Sequence, residues 1–281
     1  MGLDRRTWLR SGIGAALAHS GAITSALAQA RRRHPTRHHS TGKPIAAHPA
    51  SQPLVVIDPG HGGKDPGCSG PSGVMEKRVV LAIGLELRRQ LLATHRCRVV
   101  MTRSTDVFIP LDERVEFARQ HQATMMISLH ANSSADTRVR GANVYRFAYH
   151  ASDPVAATVE RLENSADRFD ASARRTTTVL RILASLMRRE TMLHSALLQR
   201  DLVTGLDAQW QLCGGGARHA RFVVLSAPDV ASVLVETGFL TNRFDAALLS
   251  HPPHQTALAR AMSAAINRFL ASLPQNRRAQ G

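Results

Sequence analysis

The chain has 281 residues and is 43% hydrophobic, enough for one large domain or two small ones and enough to bury a core, which excludes a low-complexity chain. An aromatic content of 4% argues against a surface built on ring stacking with sugars or bases. The formal net charge of +15 could serve an anionic partner (nucleic acid, lipid surface, wall polymer or an acidic protein) or belong in part to a solvated basic tail with no specific partner.

Residues 1–28 read as an export signal rather than as fold. Arg5 and Arg6 form a charged start, residues 11–27 are apolar or small, and Ala26-Leu27-Ala28 fits a cleavage site before Gln29. The run DRRTWLR at 4–10 is similar to a twin-arginine signal, with Asp4, Trp8 and Arg10 in place of the usual residues. An ordinary Sec signal is the alternative. Gly, His and Ser interrupt the apolar run, so membrane contact is expected only during export. Export also argues against nucleic acid as a partner. Residues 29–52 hold Arg31, Arg32, Arg33, Arg37 and Lys43 without an acid, and read as a basic disordered linker. His34, His38 and His39 within it are read as solvated.

The folded domain is expected over 53–275, with 276–281 a tail. Residues 54–57 are a buried strand, broken by the glycine-rich loop at 59–63 that carries His61. Over 76–92, Val79, Val80, Ile83, Leu87 and Leu91 recur at helical spacing. A strand at 98–102, a helix at 111–120 and strands at 124–129 and 142–147 follow. Residues 222–225 and 232–236 read as further strands, and 245–273 as largely helical, with His251 and His254 in a loop. This alternation predicts an α/β fold, a mostly parallel twisted sheet with helices on both faces. Ligands bind such sheets at the carboxyl ends of strands. Residues 151–206 break the alternation and read as a charged helical insert. Residues 213–216, CGGG, read as a flexible turn, since no strand leads in and no GK[ST] follows. The cysteines Cys68, Cys97 and Cys213 leave at least one unpaired; Cys97 is expected in the core, and a disulfide stays open.

His61, Glu76, His130 and Glu236 each stand where an apolar strand ends or a helix begins. A catalytic zinc takes three nitrogen or oxygen ligands and leaves one position open. Taken singly, Glu76 fits an ordinary first-turn glutamate and His130 a core or loop histidine. Glu236 closes the run Val233-Leu234-Val235, where a buried carboxylate is costly without a partner. As a fourth ligand it would close the site. The preferred reading is general base and acid, taking a proton from the attacking water and giving it to the leaving nitrogen.

The order of motifs is specific: IDPGHGGKDPG at 57–67, Glu76, TRSTD at 102–106, LDERVEFA at 111–118, SLHAN at 128–132, RGANVY at 140–145 and VLSAPDVASVLVETGFLTN at 224–242. It resembles the zinc-dependent N-acetylmuramoyl-L-alanine amidases of bacterial cell walls, the Amidase_3 family, of the periplasmic division-amidase type, over about 54–273. The resemblance implies one Zn2+ per chain on His61, Glu76 and His130, Glu236 as the catalytic glutamate, and peptidoglycan as substrate. The bond cut would join N-acetylmuramic acid to the L-alanine of the stem peptide, for wall remodelling and daughter-cell separation in the periplasm. Arg103, Asp106 and Arg114 match structural positions. Division-type members carry a helical insert over the active site, and one of its glutamates fills the open metal position until a periplasmic divisome activator displaces it. Glu163, in LENSAD at 162–167, is the matching position, with Glu160 as alternative. No wall-targeting domain precedes residue 53, so localisation is expected from the linker, the insert or a partner. Residues 176–178 and 187–192 match the expected activator surface poorly. A non-catalytic peptidoglycan- or divisome-binding module, and a zinc amidohydrolase or peptidase with another substrate, stay as alternatives.

Overall fold

The computed structural model describes residues 52–71, 73–169 and 189–274, so the export signal, most of the linker and residues 170–188 of the insert lie outside the described residues. In chain order the elements are β1 (Leu54–Pro59), α1 (Glu76–Ala93), β2 (Arg98–Met101), α2 (Leu111–Gln120), β3 (Met125–Asn132), β4 (Ala142–Phe147) and α3 (Pro154–Asn164). They continue with α4 (Arg189–Asp207), β5 (Leu212–Ala220), β6 (Ala231–Phe239), α5 (Arg243–Leu249) and α6 (Pro252–Ser272). Short 3-10 turns cover Ser165–Phe169 and Val223–Leu225.

Six strands form one sheet in the order β2-β1-β3-β6-β4-β5. β2, β1, β3 and β6 run parallel; β4 is antiparallel to β6, and β5 is parallel to β4. The expected mostly parallel α/β sheet is what forms. Its strands are apolar on both sides because both faces are covered. Val55, Ile57, Ile127 and Val233 point to one face, where Ile83 and Leu87 of α1, Leu198 and Leu202 of α4 and Ile266 and Phe269 of α6 bury them. Val56, Met126, Leu234 and Tyr145 point to the other, against Val115 of α2, Ala156 and Val159 of α3, and Phe222. Among the described residues no helix is long and apolar enough to cross a membrane.

Several local expectations change. Residues 222–225 are not a strand: β4 already has β6 and β5 on its two edges, and the segment tucks Val224 and Leu225 under the second face as a 3-10 turn. Residues 213–216 lie within β5 rather than in a turn. Gly214, Gly215 and Gly216 take φ of 57, 80 and 78°, and the pairing with β4 shifts register between Ala142 and Val144. A strand without side chains has no alternation to read. His251 caps α6 and His254 lies in its first turn, where Pro252 fixes the helix start. The insert divides: α3 lies on the second face, whereas α4 is a core helix of the first face through Leu198, Leu202 and Leu206. Cys97 is buried as expected, and all three cysteines are free thiols.

The loop after β1 is held by charge. Asp58 is fully buried at the end of β1. Arg114 of α2, also buried, donates from Nη1 to Asp58 Oδ1 at 2.7 Å and to Pro59 O at 2.9 Å, and from Nη2 to His61 O at 2.8 Å. Thr102 and Ser128 donate their hydroxyls to Asp58 at 2.6 and 2.7 Å. Burial alone would raise the Asp58 pKa, but Arg114 and these hydroxyls outweigh it and hold the carboxyl below its ordinary range. Arg103 adds bonds to Pro59 O and Gly60 O at 2.8 and 2.6 Å. Asp106 accepts from Gly63 N at 2.7 Å and from Lys77 Nζ at 2.8 Å. These are the structural roles expected of Arg103, Asp106 and Arg114.

Arg114→Met keeps bulk and leaves Asp58 buried without its cation. Urea denaturation is expected to show a loss of about 3–5 kcal/mol. Because the folded pKa of Asp58 is depressed, its contribution is complete above the ordinary carboxylate value of about 4 and drains away as pH falls below it. Asp58→Asn should therefore flatten the acid limb of a stability-versus-pH curve, and an unchanged limb would count against the assignment.

Candidate functional site

The carboxyl ends of β1, β3 and β6 converge on the second face. His61 follows β1 in a left-handed backbone conformation with φ of 57°, sparsely populated for a residue with a side chain. Hydrogen bonds on either side over-determine it: Arg114 holds its carbonyl, and the Gly62–Asp65 turn closes with two backbone bonds of 2.9 and 3.0 Å. Asp65 Oδ2 lies 2.8 Å from His61 Nδ1, and Asp65 Oδ1 accepts from Gly67 N at 3.1 Å. This sets the imidazole so that Nε2 faces inward, as a carboxylate partner does for a metal-binding histidine. Glu76 opens α1, and its oxygens accept from Cys68 N at 2.8 Å and Ala131 N at 2.9 Å. His130 comes from β3, its carbonyl tied to Thr237 Oγ1 at 2.9 Å. Glu163 arrives from the last turn of α3.

One ligand atom each of His61, Glu76, His130 and Glu163 lies within 4.8 Å of the others. His61 Nε2 is 3.0 Å from Glu76 Oε1 and 3.4 Å from Glu163 Oε2; His130 Nδ1 is 3.2 Å from Glu76 Oε1 and 2.9 Å from Glu163 Oε2. Yet His61 Nε2 and Glu163 Oε2 are buried and make no hydrogen bond. Four ligands at about 2.0–2.2 Å from a tetrahedral zinc sit about 3.3–3.6 Å apart. One spacing, 3.4 Å, falls in that range and the other three, 2.9 to 3.2 Å, are slightly shorter, and two nitrogens with two carboxylate oxygens are a donor set that zinc accepts. The residues therefore fit a cation.

The electrostatics agree. Burial would lower the pKa of His130, but the Glu163 and Glu76 carboxylates raise it to about 10; His61 is raised for the same reasons, with Glu76 foremost. Burial would raise Glu76 and Glu163, but the imidazoles draw Glu76 well down and Glu163 to about 2. The pocket thus holds positive charge between its carboxylates, which is what a divalent ion would supply.

Glu236 of β6 lies in register beside His130 of β3 and opposite Asn143 of β4. It is fully buried, and neither carboxyl oxygen has a partner. Burial first, and then the negative charge of Glu163, push its pKa well above the ordinary value. It is not one of the four clustered residues. A carboxyl group in that state is suited to proton transfer.

Glu160, the alternative to Glu163, turns away and accepts from Arg221 N at 3.2 Å. Asn164 locks the end of α3 by donating to Arg221 O and accepting from Val223 N, both at 2.9 Å. The sequence reading missed Asp65 and Asn164 as site residues. Asp65 stands four residues after His61 in a glycine-rich loop, a spacing that could have marked it; the role of Asn164 depends on a tertiary contact 57–59 residues away and leaves no local signal.

The family described as Amidase_3, N-acetylmuramoyl-L-alanine amidase, matches residues 55–268. N-acetylmuramoyl-L-alanine amidase AmiA of Escherichia coli K12 is 35% identical over 265 residues, covering 92% of this chain and 89% of the relative. AmiC of Neisseria meningitidis is 34% identical over 235 residues, covering 82% and 56%. Among solved structures, AmiC2 of Nostoc punctiforme aligns with a TM-score of 0.56 at 31% identity, covering 78% of this chain and 97% of that one.

Gly67 offers a direct test of the cluster. Its φ is +68°, and a Cβ there would stand 2.5 Å from Glu76 Oε2 and 2.8 Å from His61 Cδ2. Gly67→Ala is expected to displace both side chains and lower zinc stoichiometry, measured by elemental analysis after chelator challenge, while helix content by circular dichroism is kept. Full zinc retention would show that the cluster is not the metal site.

Proposed function

Because the chain belongs to the Amidase_3 family of N-acetylmuramoyl-L-alanine amidases, we propose that it cuts the amide between N-acetylmuramic acid and the L-alanine of the peptidoglycan stem, using zinc held by His61, Glu76 and His130. When bound, zinc supplies Lewis acidity at the scissile carbonyl and makes the attacking water more acidic. Glu236 takes the proton of that water on one carboxyl oxygen and returns it to the leaving nitrogen, which departs as the amino terminus of the stem peptide. Its burial and lack of a fixed partner support this role. Asp65 and the backbone N–H groups on Glu76 hold the ligands in place before substrate arrives.

The observation that carries the regulatory part is the carboxylate of Glu163 within the cluster. In the proposed reading it takes the position that substrate needs, so the enzyme rests in an inhibited state. α3 is displaced by a periplasmic protein partner, and the enzyme serves wall remodelling at division. The charged, apolar and cleavable start of the chain supports export to the periplasm, by the twin-arginine route in this reading.

Digestion of purified peptidoglycan by the mature protein, Glu163→Ala, and Glu236→Ala in both backgrounds tests this, with zinc measured in each. Free stem peptides with an L-alanine amino terminus are expected, released faster by Glu163→Ala. Glu236→Ala is expected to slow release by about 10²–10⁴-fold with zinc still bound. Bound zinc without such peptides from any version would point to another substrate or to a binding role.

A further inference from the structure

Beneath α3, four residues in one row across the sheet keep polar atoms without partners. Glu236 of β6 lies opposite Asn143 of β4, and Tyr145, two residues further along β4, pairs in register with Arg218 of β5. Leu234, Tyr145 and Ala220 belong to the core of the second face, so alternation puts Glu236, Asn143 and Arg218 on that face as well. Both carboxyl oxygens of Glu236, Asn143 Oδ1, the Tyr145 hydroxyl and Arg218 Nε are buried without a hydrogen bond. Interiors rarely leave such atoms unpaired. The cover over this face is α3, which packs into it through Ala156 and Val159 and offers these atoms nothing polar. The row starts beside His130 at the metal cluster and ends at β5, the edge strand.

α3 brings a carboxylate to each end of the row. Glu163, in its last turn, enters the cluster. Asp153 caps its start, accepting from Ala156 N at 3.0 Å, and pairs with Arg218 Nη1. Only 12% of the Arg218 side chain is exposed. β5 makes room for this cation with its glycines: at Gly214, where φ is +57°, a Cβ would stand 2.8 Å from Arg218 Nη2. Gln199 of α4 fixes the backbone beneath by donating to Arg218 O at 2.6 Å. Asp153 and Glu163 stand ten positions apart, about 15 Å along a helix. An extended peptide advances about 3.3–3.6 Å per residue, so about four residues cover the same span.

We infer that Arg218 is a substrate-binding residue: once α3 is displaced, its guanidinium takes a carboxylate of the stem peptide, about four residues beyond the bond that is cut, in place of Asp153. This deepens the proposed function and rests on it. The stem then lies across β6, β4 and β5 in the place of α3, and its amides meet the unpaired atoms of Asn143 and Tyr145. α3 mimics the substrate at both ends, with Glu163 at the metal and Asp153 at the arginine. A guanidinium suits the exchange, because its planar fork accepts one carboxylate as well as another.

The test separates binding of substrate from anchoring of α3. Kinetics are measured in the Glu163→Ala background on a soluble muropeptide with a four-residue stem, and on the same compound with its stem carboxylates amidated. The readout is the ratio of the two kcat/KM values within each protein, since a looser α3 changes both alike. Zinc content and Tm are recorded for each. The Glu163→Ala parent is expected to favour the free acid about ten- to a hundredfold. Arg218→Gln is expected to bring the ratio close to one, through KM for the acid. Arg218→Lys, which keeps the charge without the fork, should fall between them. Asp153→Asn frees Arg218 without removing it, and should keep or raise the ratio. A parent indifferent to the carboxylates would overturn the inference. So would Arg218→Gln with the parent's ratio, or Asp153→Asn lowering the ratio as Arg218→Gln does, since Arg218 would then only anchor α3. If the parent releases no stem peptide from either compound, the amidase reading falls and takes this inference with it.

Discussion

The pair formed by Arg114 and Asp58 is where the architecture and the site meet. The loop at 59–63 contains no large apolar residue, so it cannot be held by burial. Its carbonyls are instead gathered by two buried guanidinium groups, Arg114 on Pro59 and His61, and Arg103 on Pro59 and Gly60. Arg114 is anchored by Asp58, and Asp58 is in turn satisfied by hydroxyls from the neighbouring strands β2 and β3 and their ends. A planar, always charged fork serves this purpose better than an ammonium, because it can bind two carbonyls and a carboxylate at fixed angles. The left-handed backbone of His61 persists because these contacts leave no relaxed alternative.

The cluster itself is a compromise between like and unlike charges. Two imidazoles and two clustered carboxylates share a buried volume, with a third carboxyl group, Glu236, beside them. Such a set is stable only if something positive lies at its centre. The sheet contributes His130 and Glu236, the first loop contributes His61, and Glu76 reaches over from the opposite layer. Glu163 differs in origin. It belongs to a segment held on the domain by Ala156 and Val159, the Asp153–Arg218 pair, the Glu160 bond to Arg221 N and the Asn164 clamp. A contact of that extent is far easier to undo than the sheet.

Much of this was legible in the sequence because the signals are local. β1, α1, β3 and β4 follow from short β-branched runs and one clean helical period, and His61, Glu76 and His130 stand at the ends of those elements. Glu163 could be matched only through the family resemblance, yet it is the glutamate that the fold brings to the cluster. What escaped has common physical causes. β5 is hidden because Gly214, Gly215 and Gly216 carry no side chains to alternate. Residues 222–225 carry a strand's composition, but the sheet had no free edge for them. α4 looked like part of the insert because its charged residues mask the apolar stripe of Leu198, Leu202 and Leu206. Asn164 acts through a tertiary contact that no periodicity records.

The direction of β4 limits how the chain can vary. β4 runs against β6, so Asn143 at its start lies opposite Glu236, while Phe147 at its end lies away from the site. α3 must therefore travel back along the second face before Glu163 can meet the cluster. Its 11 residues span about 16 Å. The helix is in effect a measuring rod. Outward-facing residues along it are free to change, but its length is not. One residue added or removed between Asp153 and Glu163 would turn the glutamate by about 100° and shift it by about 1.5 Å. Lineages that keep this contact should thus hold the spacing fixed while the composition drifts.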